Sequence, residues 1–221
     1  MEFTVYTIPL WIVAVVGTGL AALTAYYHEQ KGAYELFALF IGAVFWAGGY
    51  AMEFSAAESQ MKIFWYQVHF LGSAIVPTAI FVIALRFTGR DDLIRPKYIA
   101  ALTVVPFITA VLIITGHNLW VVQHFMRPGK VWPLTHQFGL WYYLYAYYSL
   151  AIAVAAIGMF VQAVLERSEG SWINTTSAFL VATILPTAGT ALYVIGGTTI
   201  DYGPFAFLIS GLCIMAAMFY L

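Results

Sequence analysis

From Ile63 to Leu85 the chain carries no Lys, Arg, Asp or Glu. In hydrocarbon, backbone N–H and C=O groups must be satisfied within the segment itself, so an apolar run of this length folds as a bilayer-crossing helix. A hydrocarbon core of ~30 Å takes about 20 residues of helix. Stretches near that length recur along the chain, giving seven expected spans: Ile8–Tyr27, Leu36–Met52, Ile63–Leu85, Tyr98–Gly116, Gly139–Leu165, Trp172–Gly196 and Tyr202–Leu221. Composition agrees, since 62% of the residues are hydrophobic and 9% charged, against roughly 25% charged in a soluble domain. The expectation is an all-α, polytopic membrane protein, a seven-transmembrane helix bundle in which residues 1–221 form a single domain.

Several function classes fall away at this point. The net charge is −1 and no basic cluster with interleaved aromatics stands outside the spans, so nucleic-acid binding has no electrostatic footprint. The start, "MEFTVYT", is acidic and polar rather than basic, so the first span reads as a retained helix and not a signal peptide. Cys213 is the single cysteine and has no partner for an intrachain disulfide. Neither a G-x-S-x-G elbow nor an H-E-x-x-H pair occurs, and the chain is expected not to be an enzyme. His117, His124 and His136 share one connection, but spacings of seven and twelve match no zinc pattern, so no metal is expected. No cofactor is expected either. In particular, the last span has no lysine for a retinal Schiff base.

Loop charge gives an orientation. One set of connections holds Lys62, Arg127 and Lys130, and the other holds Lys31, Arg86, Arg90, Arg95, Lys97 and Arg167. The positive-inside rule then puts the N-terminus outside and the C-terminus in the cytoplasm. The chain stops at "GLCIMAAMFYL", still apolar, which reads as a fragment of a longer protein. The longest connection, His117–Gly139, is rich in His, Trp and Pro. Two readings stand for it: an ordered cap over a site, or Trp anchoring at the headgroup level.

Polar groups inside spans are costly and become site candidates by default. On this orientation Glu53, Gln67, His69, His117, Asn118, Tyr145, Tyr147, Tyr148, Tyr193 and Asp201 all fall at outer span ends, which fits an outward-facing cavity or residues reaching the interface for solvation. Gln67 and His69 project about 200° apart on a helix, so they do not share one narrow site. His69 lies with Trp65, Gly72, Ser73 and Pro77, a face whose small members admit a neighbouring helix. His69 is therefore expected to bond between helices, with Gln67 toward the lipid interface. Segments "FLGSAIVPTA" from Phe70 and "FLVATILPTA" from Phe179 agree at six of ten positions, each with a mid-span proline, as an inverted-repeat transporter would show. The rest of the two halves does not match.

Together the motifs resemble a family, the seven-transmembrane N-terminal sensor region of bacterial and archaeal histidine kinases. The third span, "FWYQVHFLGSAIVPTAIFVIALRFTG", is similar to the family's in Leu71, Gly72, Pro77 and Phe87-Thr88-Gly89. "ITGHNLW" (Ile114–Trp120), "LYAYYSLAI" (Leu144–Ile152), and Pro186 with Tyr193 also fit. The most specific is "IDYGPFAFLISG", where Asp201, Pro204, Phe207 and Ser210 match the family's Asp-x-x-Pro-x-Ala-Phe-x-x-Ser-Gly. The chain departs from the family at Gln67 and His69, where relatives often carry Arg and Glu, and in the order His117-Asn118.

The resemblance implies a signal-receiving membrane domain in a bacterial or archaeal plasma membrane, followed by a cytoplasmic kinase or other output module and working as a homodimer. The expected function is binding of a small extracellular or membrane-derived ligand, with Glu53, His69, His117, Asn118, Tyr145, Tyr148, Tyr193 and Asp201 as the candidate ligand-binding residues. A small-molecule transporter and a structural anchor for a downstream enzyme are the alternatives.

Overall fold

The apolar stretches fold as helices in the computed structural model, which describes residues 5–115, 122–125, 135–166 and 171–219. The helices are α1 (Thr7–Tyr26), α2 (Ala33–Ser55), α3 (Ser59–Phe87), α4 (Pro96–Ile114), α5 (Leu140–Glu166), α6 (Ser171–Val194) and α7 (Gly203–Phe219). Six are long and apolar enough to cross a membrane, while α7 has 17 described residues. The architecture is a membrane-type helical bundle.

In lipid, helices gain little from burying apolar surface against one another, so close packing and polar contacts hold them together. The α2–α3 pair shows how. A Cβ on Gly72 would overlap the backbone nitrogen of Trp46 and lie 2.7 Å from the Gly42 carbonyl oxygen, and one on Gly49 would lie 2.7 Å from the His69 nitrogen. These two backbones therefore touch only because the side chains are absent. Leu36, Phe40, Ala47, Phe54, Ile83, Phe160 and Phe207 form the main buried cluster, and Tyr66, Phe70, Ile113, Tyr142, Tyr145 and Val194 form a second.

Helix α4 is attached loosely. Thr109 and Ile113 are its buried residues, and three polar contacts fasten it. Gln67 Nε2 donates to the Ile113 carbonyl at 3.2 Å, Trp141 Nε1 to Thr109 Oγ1 at 2.9 Å, and Tyr148 Oη to the Leu102 carbonyl at 2.6 Å. Gln67 thus departs from the expectation that it turns to lipid. Its amide is half-buried because α4 covers that face of α3 and offers a carbonyl at its C-terminal end, where helices leave carbonyls unpaired. Elsewhere α4 stands off α2 and α3, leaving an apolar cleft of about 610 Å³ lined by residues such as Leu71, Ile75, Ile99 and Phe107.

Between α4 and α5 lies an antiparallel ribbon, β1 (Val122–Phe125) and β2 (Thr135–Phe138), the one sheet among the described residues. The short segments "VQHF" and "THQF" carry Val, Thr and Phe, residues suited to a pleated strand. Their register sets His124 opposite His136 and Val122 opposite Phe138. Trp120 and Trp132 of that connection lie outside the described residues. At the opposite end of the bundle, Arg86 bonds Glu35 and approaches Asp91, which Lys31 meets at 2.8 Å. These pairs tie the α1–α2 connection to the end of α3.

Candidate functional site: a polar cavity at one end of the bundle

Four helices place polar, aromatic or proline side chains at one-turn spacing, so that each lines up on a single face. On α2 these are Trp46 and Tyr50; on α3, Tyr66, His69, Ser73 and Pro77; on α5, Tyr142, Tyr145 and Ser149; on α6, Pro186, Thr190 and Tyr193. With Asp201, which precedes α7, they enclose a cavity of about 100 Å³. It lies at the end of the bundle that holds the α2–α3, α4–α5 and α6–α7 connections. Phe138 of the ribbon stacks on Tyr142 at 3.8 Å and meets Tyr193 edge-on at 5.7 Å, so the ribbon packs directly on two lining residues.

The α6–α7 connection sets Asp201. Its Oδ1 accepts from the Gly203 N–H at 2.8 Å and from the Thr190 hydroxyl at 3.1 Å, and its own N–H donates to Tyr50 Oη at 3.3 Å. The first of these caps the start of α7. Gly203 permits this arrangement, because a Cβ there would overlap Thr190 Oγ1 and come within 3.1 Å of the Trp46 ring. Burial pushes the Asp201 carboxyl up to about 6, opposed by its two Oδ1 hydrogen bonds and by nearby His69.

Behind one wall sits a second polar group. His69 Nδ1 lies 3.0 Å from Glu53 Oε2, whose side chain is wholly buried. Lys62 Nζ donates to the Glu53 backbone carbonyl at 2.8 Å. The His69 ring is also framed edge-on by Tyr50 at 5.0 Å and Tyr66 at 4.8 Å. Burying these groups in a bundle core is tolerable only because each is matched by another.

Of the residues singled out from sequence, His69, Tyr145, Tyr193 and Asp201 line the cavity. Glu53 stands behind His69 and supports it. Tyr148 lies apart, turned to α4 through its bond to Leu102, because it follows Tyr145 by three residues yet sits beyond the face that α5 gives to the cavity. His117 and Asn118 lie outside the described residues. Sequence reasoning passed over Trp46, Tyr50, Tyr66, Tyr142 and Thr190. A signal for four of them was present: Tyr50, Tyr66, Tyr142 and Thr190 each precede a chosen polar residue by three positions, one helical turn.

Among the described residues no group of three His, Cys, Asp or Glu side chains converges as a metal site. No curated protein matches the chain. The sequence model of one family, described as the N-terminal 7TM region of histidine kinase, matches residues 9–221, which takes in every helix but the first residues of α1. The chain therefore belongs to the family of N-terminal seven-transmembrane regions of histidine kinases, the membrane-embedded part of those proteins and not their catalytic domain.

Proposed function

We propose that the chain is the sensing domain of a histidine kinase, and that the cavity takes a small molecule arriving from outside the cell or from the membrane. The observation that carries this reading is the convergence of His69, Thr190, Tyr193 and Asp201 on one cavity, since polar groups held at such cost in a membrane bundle mark functional sites. In this proposal all seven helices span, the N-terminus is outside, and the cavity opens toward the outer face. Occupancy shifts a packing equilibrium that α7 passes to a cytoplasmic output module, in a homodimer in a bacterial or archaeal plasma membrane. A ligand drives that shift only by the difference in its affinity for the two packings.

A second reading draws on Pro77 and Pro186, which lie on different helices yet both line the cavity. Proline-broken helices meeting at a site are also how secondary transporters bind substrate. One experiment separates the two. The chain in proteoliposomes is screened with radiolabelled small molecules for equilibrium binding and for uptake. Saturable binding without flux supports the sensor, flux supports the transporter, and neither leaves a structural anchor.

A further inference from the structure

Resting on the sensor reading, we propose that the cavity recognises a small organic cation, an amine or a quaternary ammonium group, through Asp201 Oδ2 and the surrounding aromatic rings. The charge pattern of the wall points there. Among the described residues that line the cavity, Asp201 is the one carboxylate and none is Lys or Arg. The other titratable lining group besides tyrosine, His69, has an acidic partner of its own in Glu53 at 3.0 Å. Glu53 thus competes for His69, which also acts on Asp201, and Asp201 is only partly compensated.

The two oxygens of Asp201 are not equivalent. Both hydrogen bonds, from Gly203 and Thr190, fall on Oδ1, and Oδ2 makes none among the described residues. A desolvated carboxylate with an incomplete counter-charge is costly, and it either takes a proton or recruits a cation. Burial pushes this carboxyl up to about 6, the direction that an ammonium ion in the cavity would reverse.

The rest of the wall suits the same guest. Trp46, Tyr50, Tyr66, Tyr142 and Tyr193 all line the cavity, and electron-rich ring faces attract a cation within about 6 Å, most strongly when water is excluded. An anion would meet Asp201 with like charge. A neutral guest would leave Asp201 unmatched. The volume of about 100 Å³ suits a group the size of a methylated ammonium rather than a large drug-like molecule.

The test titrates the chain in nanodiscs with choline, tetramethylammonium, acetate and dimethylbutanol, the neutral carbon isostere of choline, reading thermal stability. The expected result is saturable stabilisation by the ammonium probes, at least about tenfold tighter for choline than for its isostere, which is the scale of one desolvated charge contact. Asp201→Asn keeps a side-chain acceptor for the α7 cap and should equalise choline and isostere. Should that variant fail to fold, the ratio in the native chain still decides. Equal affinity for choline and its isostere, tighter binding of acetate, or no response to either ammonium probe overturns the proposal. If some non-cationic compound then fills the cavity, the sensor reading survives, and if a wider screen finds none, it falls as well.

Discussion

At Asp201 one side chain caps α7 through Oδ1 and also lines the cavity, and under the proposal its Oδ2 meets the ligand. Its carboxyl sits at about 6, above the unfolded value of roughly 4. Folding therefore takes up a proton, so this group's contribution to stability is present below about pH 4 and is lost as pH rises through about 6. A bound cation has the opposite preference. Choline affinity should fall about tenfold between pH 7 and pH 5, as protonation removes the charge. Tyr50 of α2, His69 of α3, Tyr142 and Tyr145 of α5 and Tyr193 of α6 surround this carboxyl electrostatically, with Glu53 behind His69. Asp201→Asn should flatten both profiles, and a slope that survives it belongs to one of those neighbours. At Gly72 an added methyl meets the fixed backbone of Trp46 and Gly42. Gly72→Ala should cost about 1–3 kcal/mol in thermal unfolding, whereas Gly158→Ala, where a Cβ meets nothing within 4 Å, should be neutral or stabilising by up to ~1 kcal/mol.

Among the elements, α4 is the one held by few contacts. Gln67→Leu removes its bond to Ile113, and a loss of about 1 kcal/mol is expected. Hydrogen exchange should show the α4 amides opening before those of α2 and α3, since a helix with two buried residues unfolds locally at lower cost. Unchanged α4 exchange in Gln67→Leu would show that the bond does not fasten it. The element scale also shows what the sequence could and could not reveal. For α1 the expected span Ile8–Tyr27 falls one residue from the helix Thr7–Tyr26, because apolar length alone sets a membrane helix. For α2 the expected Leu36–Met52 is too short at both ends of Ala33–Ser55, since a rule that stops at charge could not know that Arg86 matches Glu35 and His69 meets Glu53. The ribbon was hidden because its strands are four residues each, too short for a period to declare itself. Helical geometry did separate Gln67 from His69 and pair His69 with the close approach at Gly72. It could not say which neighbour each would meet, because contacts such as Gln67 to Ile113 join residues 46 positions apart.

For the whole molecule, the cavity and the ion pairs lie at opposite ends. Under the proposed orientation the cavity end is outside, and the Arg86–Glu35 and Lys31–Asp91 group is cytoplasmic, where basic residues concentrate. A cysteine placed at Ser59, the first residue of α3, should label with an impermeant maleimide in intact cells, and one at Arg90 only after permeabilisation. The reverse pattern would invert the orientation and move the cavity to the cytoplasmic side. The central claim, that this cavity receives the signal, is tested most directly by filling it. Ala153 lines the wall and is buried, so Ala153→Phe should occupy the space from within. Thermal-shift screening of small molecules against the native chain and this variant, both folded in nanodiscs, should find compounds that stabilise the native chain and leave the filled variant unmoved. Compounds that stabilise both equally would place binding elsewhere and contradict the account.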